Sequence, residues 1–248
     1  MSVIAIHQPH YFPWLGLLHK ILSCDRFIIL DSVQFNRRAF QNRALYASRQ
    51  GVHYLTIPVH APNHQQEGMS LRDLVWAGDA QKIRASHFQT LRHRYGKTPG
   101  WHLALPDLTE LLLQPRPDET VCGLIIASIH LTLKWFGVDK ITLCSSSLAV
   151  AGHKDELMLN LTQAVGGQIY LSGQGAKAYT RPEVFTMAQV GLRYQEFTHP
   201  EYPQTHGGIF VPGCMALDLF FENPKAAQQY AQNIDMERIR QQNHNHSA

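Results

Sequence analysis

The chain has 248 residues, 44% of them hydrophobic and only 17% charged, with 22 Lys and Arg, 19 Asp and Glu and 15 His, for a net charge of +3. Evenly spread apolar residues and a mean hydropathy of -0.21 exclude general disorder, and this mild basicity lacks the clustered cations of a nucleic-acid binder. The longest apolar run, Gly123 to Phe136, is broken by His130 and Lys134 and is too short and polar to cross a bilayer.

Cys24, Cys122, Cys144 and Cys214 are scattered, with no C-x-x-C spacing for zinc or a redox pair, so a reducing compartment is expected. Met1 to His7 is already an apolar strand-like run without a basic export signal, which makes the cytoplasm the expected location. No metal site is expected, because His60 and His64 have no carboxylate or cysteine at a ligand spacing.

In chain order, Val3 to His7 reads as a buried strand, Gln8 to Trp14 as a loop held extended by Pro9 and Pro13, Leu15 to Ser23 as a helix and Phe27 to Leu30 as a second strand. Tyr54 to Val59 reads as a strand running into a long exposed loop over Val59 to Gly68. Asp79 is a plausible N-cap for a helix carrying Ile83, His87, Leu91 and Tyr95 on one stripe, stopped by Gly96 and Pro99. The basic residues of that helix, Arg84, Arg92, Arg94 and Lys97 with His87 and His93, are read as a solvated face. The best helical periodicity covers Asp118 to Phe136 and leads into a strand at Lys140 to Cys144.

A loop at Ser145 to Ser147, a helix over Lys154 to Val165 and a strand at Gln168 to Leu171 follow. Thr180 and Glu183 have capping-box spacing around Pro182, which places another helix start there. Leu192 to Phe197 reads as a strand, Gly213 to Phe221 as a helix and Pro224 to about Gln241 as the last helix, with a fraying tail over 243–248. Strands alternating with helices imply an α/β fold, a mainly parallel Rossmann-like sheet with helices on both faces. A single domain over 1–248 is expected, with a helical insertion at approximately 79–137.

In such sheets ligands bind beyond the carboxyl ends of the strands, where strand order reverses, so the strand-end loops rank first. The loop after the first strand brings together His7, Gln8, His10, Tyr11 and Trp14, which can orient a phosphate or carboxylate above a helix N-terminus; the plainer alternative makes His7, Tyr11 and Trp14 core residues. The second loop supplies Asp31 as a base or amine anchor, or merely a turn cap, with Gln34, Asn42 and Arg43 as binding residues. The segment Ser172, Gly173, Lys177 and Tyr179 has the freedom for an anion nest with Lys177 as its charge. His7, His10 and Asp31 are the candidate catalytic residues. The Ser172 to Tyr179 segment is neither a Walker A loop nor a G-x-S-x-G elbow.

The run Ile6-His7-Gln8-Pro9-x-Tyr11-x-Pro13-Trp14-x-Gly16, with Asp31-x-x-Gln34-Phe35, Gln41-Asn42-Arg43, Leu55 to Val59, Tyr170 to Gly173, Tyr202-Pro203-Gln204 and Phe210-Val211-Pro212, resembles the WbqC-like family over nearly the whole chain. The resemblance implies a bacterial protein of surface-polysaccharide and O-antigen synthesis, transferring an acyl or amino-acyl unit such as glycyl to an amino sugar. It implies a small-molecule donor and a sugar-like acceptor, carries no cofactor assignment, and leaves the oligomeric state open. After Pro212 the family tends to have a serine where this chain has Gly213-Cys214-Met215, so a catalytic serine there would be lost. Two alternatives stand beside it. The opening loop is similar to the first motif of HxGH nucleotidylyl transferases, with Pro13-Trp14-Leu15-Gly16 in place of the second histidine, and the same pocket also suits a non-catalytic scaffold subunit.

Overall fold

The computed structural model describes residues 1–60, 68–116, 118–205 and 207–246, with side chains described as far as 238. Its centre is a five-stranded, all-parallel sheet made of β1 (Val3–His7), β2 (Arg26–Ile29), β7 (Ile141–Cys144), β8 (Ile169–Ser172) and β9 (Gly191–Tyr194), in the order β7-β2-β1-β8-β9. Eight helices accompany it among the described residues. The expected α/β, Rossmann-like architecture is therefore the one observed.

The sheet is buried on both faces, which is why its inner strands read as continuous apolar runs instead of alternating ones. One face (Val3, Ala5, Phe27, Ile29, Leu171) packs in a single core with residues of α1 (Leu15–Leu22), α2 (Ala80–Tyr95), α3 (Trp101–Leu113), α4 (Val121–Trp135), α7 (Leu217–Glu222) and α8 (Pro224–His246). The other face (Ile4, Ile6, Ile28, Tyr170) meets Leu157 and Leu161 of α5 (Lys154–Ala164) and Phe185 of α6 (Pro182–Met187).

Outside the sheet lie two antiparallel ribbons, β3 (Arg43–Ser48) with β4 (Gly51–Thr56), and β5 (Val59–His60) with β6 (Val75–Trp76). The strand expected at Tyr54 to Val59 is thus the end of a hairpin whose register pairs Arg43 with Thr56, and Val59 belongs to the second ribbon. The rest of the expected loop after His60, including His64, lies outside the described residues up to Gly68.

Several local expectations are corrected. Helix α3 was not legible because Pro106 sits inside it, where a proline costs about 3 kcal/mol; its buried stripe of Trp101, Ala104, Leu108, Leu111 and Leu112 offsets that cost. The capping box at Thr180 does not form: Thr180 Oγ1 donates to Ala176 O, and α6 opens at Pro182 without a side-chain cap. Gly213 to Ala216 are not helical, because Met215 N donates to Leu45 O and Ala216 N to Pro13 O, which pins this segment beside Trp14 before α7 begins. Strand β9 ends at Tyr194, and α8 continues through the expected tail to His246. Asp79 does cap α2, its side chain accepting from Lys82 N at 3.0 Å. Arg84 and His87 of that helix are buried instead of solvated, Arg84 pairing with Glu119 at 3.1 Å.

Candidate functional site

From β1 the chain steps outward to β2 and β7, then crosses through α5 to β8 and β9 on the other side. The strand order therefore reverses between β1 and β8, which is where an open α/β sheet leaves a crevice. A cavity of about 230 Å³ lies there, lined by His7 at the end of β1, Trp14, Gly16 and Lys20 of the following loop and helix, the turn Gly173–Gly175 after β8, and Gln195 and Phe197 after β9.

His7 is oriented by its own chain. Its Nδ1 lies 2.8 Å from Gln8 O, and since a carbonyl only accepts, Nδ1 holds the proton and Nε2 presents a lone pair. Burial pushes its pKa well below the usual histidine value, assisted by the nearby Lys20 and His10, so the ring is neutral at pH 7. His10 meets it edge-on at 4.9 Å between centroids.

Lys20 was missed by the sequence reading. It is 3% exposed within a helix whose one other polar side chain is His19, and its Nζ donates to Ile6 O at 2.8 Å. Burial brings its pKa down to about 8. Gly16 and Lys20 are four residues apart and so share a helical face, a signal the sequence did contain. Gly16 itself is obligatory: a Cβ there would meet the Trp14 indole at 2.2 Å. Gln195, also missed, donates through Nε2 to Gly16 O at 2.8 Å and lies 3.0 Å from His19 Nδ1, tying the strand-end of β9 to α1.

Trp14 also borders a second, narrow crevice of about 10 Å³ shared by His10, Phe40 and Arg43. His10 Nδ1 and Arg43 Nε are buried there without a hydrogen-bond partner among the described residues. Burial lowers the His10 pKa to about 4. The Arg43 guanidinium stacks 4.9 Å from the Tyr54 ring centroid and donates to Arg38 O at 2.8 Å, so its charge is turned to the β3-β4 hairpin and not to the cavity.

The other candidates are scaffold or surface. Gln8 Oε1 accepts from Gln41 Nε2 at 2.7 Å. Tyr11 is fully buried, its hydroxyl donating to His87 Nδ1 at 2.9 Å while His87 Nε2 donates to Thr56 O at 3.1 Å. Asn42 Nδ2 donates to Ile57 O at 2.8 Å. Asp31 is buried and accepts from Ser145 Oγ at 2.9 Å, Ser146 N at 2.9 Å and Ser146 Oγ at 2.6 Å, joining the ends of β2 and β7. Ser172 is buried beyond the cavity lining, Gln34 is exposed and bridges Ser70 through its backbone, and Lys177 and Tyr179 are exposed. Of Ser172, Gly173, Lys177 and Tyr179, Gly173 alone lines the cavity, together with its neighbours Gln174 and Gly175. Cys214 is buried, with its thiol pushed up to about 12 by burial and then by Asp218, which makes it a poor nucleophile.

Among the described residues no group of three or more His, Cys, Asp or Glu forms a metal site, and no helix is long and apolar enough to cross a membrane. Fold and cavity together define a Rossmann-like α/β protein with a histidine and a buried lysine at its switch point. The chain belongs to the WbqC-like protein family, whose model matches residues 8–230. It is 27% identical over 238 residues to a protein of Mycobacterium tuberculosis (strain ATCC 25618 / H37Rv) described as Uncharacterized protein Rv1507c, covering 93% of this chain and 97% of that one. No solved structure matches significantly.

Proposed function

We propose that the chain is a transferase that moves an acyl or amino-acyl unit, such as glycyl, onto the amine of an amino sugar or similar small acceptor, as in surface-polysaccharide synthesis. The observation that carries this reading is His7: its Nδ1–H is fixed by Gln8 O, which leaves Nε2 as the lone-pair nitrogen of a ring that lines a small cavity at the switch point. A ring held by an acceptor on one nitrogen and free on the other is the arrangement of a general base. In the step proposed, His7 Nε2 takes the proton of the acceptor amine as its nitrogen attacks the donor carbonyl, and the leaving group departs with that proton. Trp14 and Phe197, whose centroids are 5.4 Å apart, form an apolar wall for the ring of the acceptor.

The test is a mass-spectrometric assay of acylated product from nucleotide-linked amino sugars offered with acyl and aminoacyl donors. Wild type should form product, and His7→Gln should lower its rate 10²- to 10⁴-fold while keeping the native circular dichroism spectrum. An unchanged rate in His7→Gln removes the base and with it this reading. The second reading, a nucleotide-dependent activating enzyme, is supported by the cavity's position over the start of α1. It requires ATP or CTP with magnesium to raise the melting temperature, and an unaltered melting curve rejects it.

A further inference from the structure

Two cations are buried among the described residues, Arg84 and Lys20, and they differ in their partners. Arg84 meets Glu119 at 3.1 Å, and Arg94 meets Glu222 at 3.4 Å and Asp218 at 3.6 Å. Lys20, equally buried, has Ile6 O as its hydrogen-bond acceptor, which uses one of its three N–H groups, and it pairs with no carboxylate. An ammonium taken out of water without a counter-charge is costly, and the fold neutralises the buried Arg84 but leaves Lys20 without a carboxylate at a cavity wall.

The surroundings continue the pattern. Among the described residues no Asp or Glu lines the cavity. Helix α1 opens at Trp14 with no side-chain cap and no acidic residue in its first turn, so no carboxylate of its own competes for its opening N–H groups. The opening N–H groups of α1 have no intrahelical acceptor and carry the positive end of its dipole. Across the cavity the Gly173–Gly175 turn brings main chain, unobstructed by side chains at both glycines, against the same space.

We propose that this cavity seats an oxyanion of a small ligand, phosphate or carboxylate, with Lys20 as its counter-charge and the α1 opening and the Gly173–Gly175 turn as hydrogen-bond donors. This assigns the charge-binding role to Lys20 in place of Lys177. It deepens the transfer reading, on which it rests for the identity of the bound molecule as donor or acceptor, since it places the ligand's anion in the cavity that His7 also lines.

Isothermal titration of the full chain with inorganic pyrophosphate and with malonate tests it. Wild type should bind at least one of them with a sub-millimolar Kd. Lys20→Met should weaken that binding tenfold or more, Lys20→Arg should weaken it less, and the exposed Lys177→Met should stay within twofold of wild type. A preference for pyrophosphate identifies a phosphate site and a preference for malonate a carboxylate site. Binding of neither by folded wild type, or equal losses in Lys20→Met and Lys177→Met, overturns the proposal. The His7→Gln rate reports on transfer alone and the Lys20→Met affinity on the anion alone, so either reading can fall while the other stands.

Discussion

The loops after β1 and β2 look alike in sequence, each a strand end rich in polar side chains, yet the fold uses them in opposite ways. After β2, the Asp31 carboxylate is saturated by Ser145 and Ser146, and Asn42 is consumed by the Ile57 carbonyl. After β1, His7 keeps a bare Nε2 and Lys20 keeps its charge unpaired beside the cavity. A polar group with all its bonds made holds the fold together, whereas one buried with bonds or charge to spare is a cost retained for a ligand.

Removing the saturated carboxylate should have the largest effect. Asp31→Ala leaves Ser145 Oγ, Ser146 N and Ser146 Oγ without their acceptor in a buried place and should cost about 3 kcal/mol in urea denaturation. Its pyrophosphate affinity should stay within twofold of wild type in the folded baseline. A stable Asp31→Ala protein with lost affinity would reverse the roles assigned to the two loops.

Acid should act on the other loop and on His87 of α2, which holds Tyr11 of that loop. His10 and His87 both have folded pKa values lowered to about 4 by burial, below the unfolded value of 6.5. The unfolded chain therefore takes up these protons first, so stability is full above pH 6.5 and is lost as pH falls toward 4, by about 3 kcal/mol for each group. His10→Leu removes one such group without leaving a partner unsatisfied, since His10 Nδ1 is unbonded, and should flatten that part of the pH profile. A profile identical to wild type would mean that His10 is not buried as a neutral ring.

The frame of this comparison was legible in the sequence, and its chemistry was only half so. The apolar runs of β1, β2, β7 and β8 mark buried parallel strands, and the prolines around His10 mark a fixed loop. What a polar side chain does is decided by partners far along the chain: Gln8 finds Gln41 at a separation of 33 residues, Tyr11 finds His87 at 76 and Asp31 finds Ser145 at 114. No spacing rule reaches that far. Lys20 escaped notice for a different reason, since a lysine in a helix is ordinarily solvated and only the close packing of α1 against the sheet denies it water.

That burial gives a smaller, opposite effect to test. The Lys20 pKa is lowered to about 8 from 10.5, so the folded state holds this proton less tightly than the unfolded one. Lys20→Met, which keeps the stem and discards the charge, should raise stability at pH 7 by about 2 kcal/mol. Wild-type stability gains from Lys20 deprotonation between pH 8 and 10.5, so the advantage of the variant should shrink across that window. A variant that is both more stable and unable to bind pyrophosphate marks a residue kept for its ligand. Equal or lower stability in Lys20→Met would show that the amine is already compensated within the fold.

The smallest effect belongs to Cys214, within the Gly213-Cys214-Met215 stretch where the family resemblance would put a serine. Its buried sulfur accepts from Gln204 Nε2 at 3.7 Å, and that same amide donates to Asp218 Oδ2 at 2.8 Å, while Tyr95 OH donates to Asp218 Oδ1 at 2.6 Å. The position is therefore part of a polar knot that fastens the segment before α7 to α2, outside the lining of the switch-point cavity. A hydroxyl can accept the same Gln204 bond, more strongly and at shorter range, at the expense of a somewhat smaller buried volume. Cys214→Ser should thus change stability by less than about 1 kcal/mol in thermal denaturation and leave both transfer and pyrophosphate affinity unchanged. A large gain in transfer rate on installing the serine would instead place the catalytic nucleophile in this knot and move the chemistry away from His7.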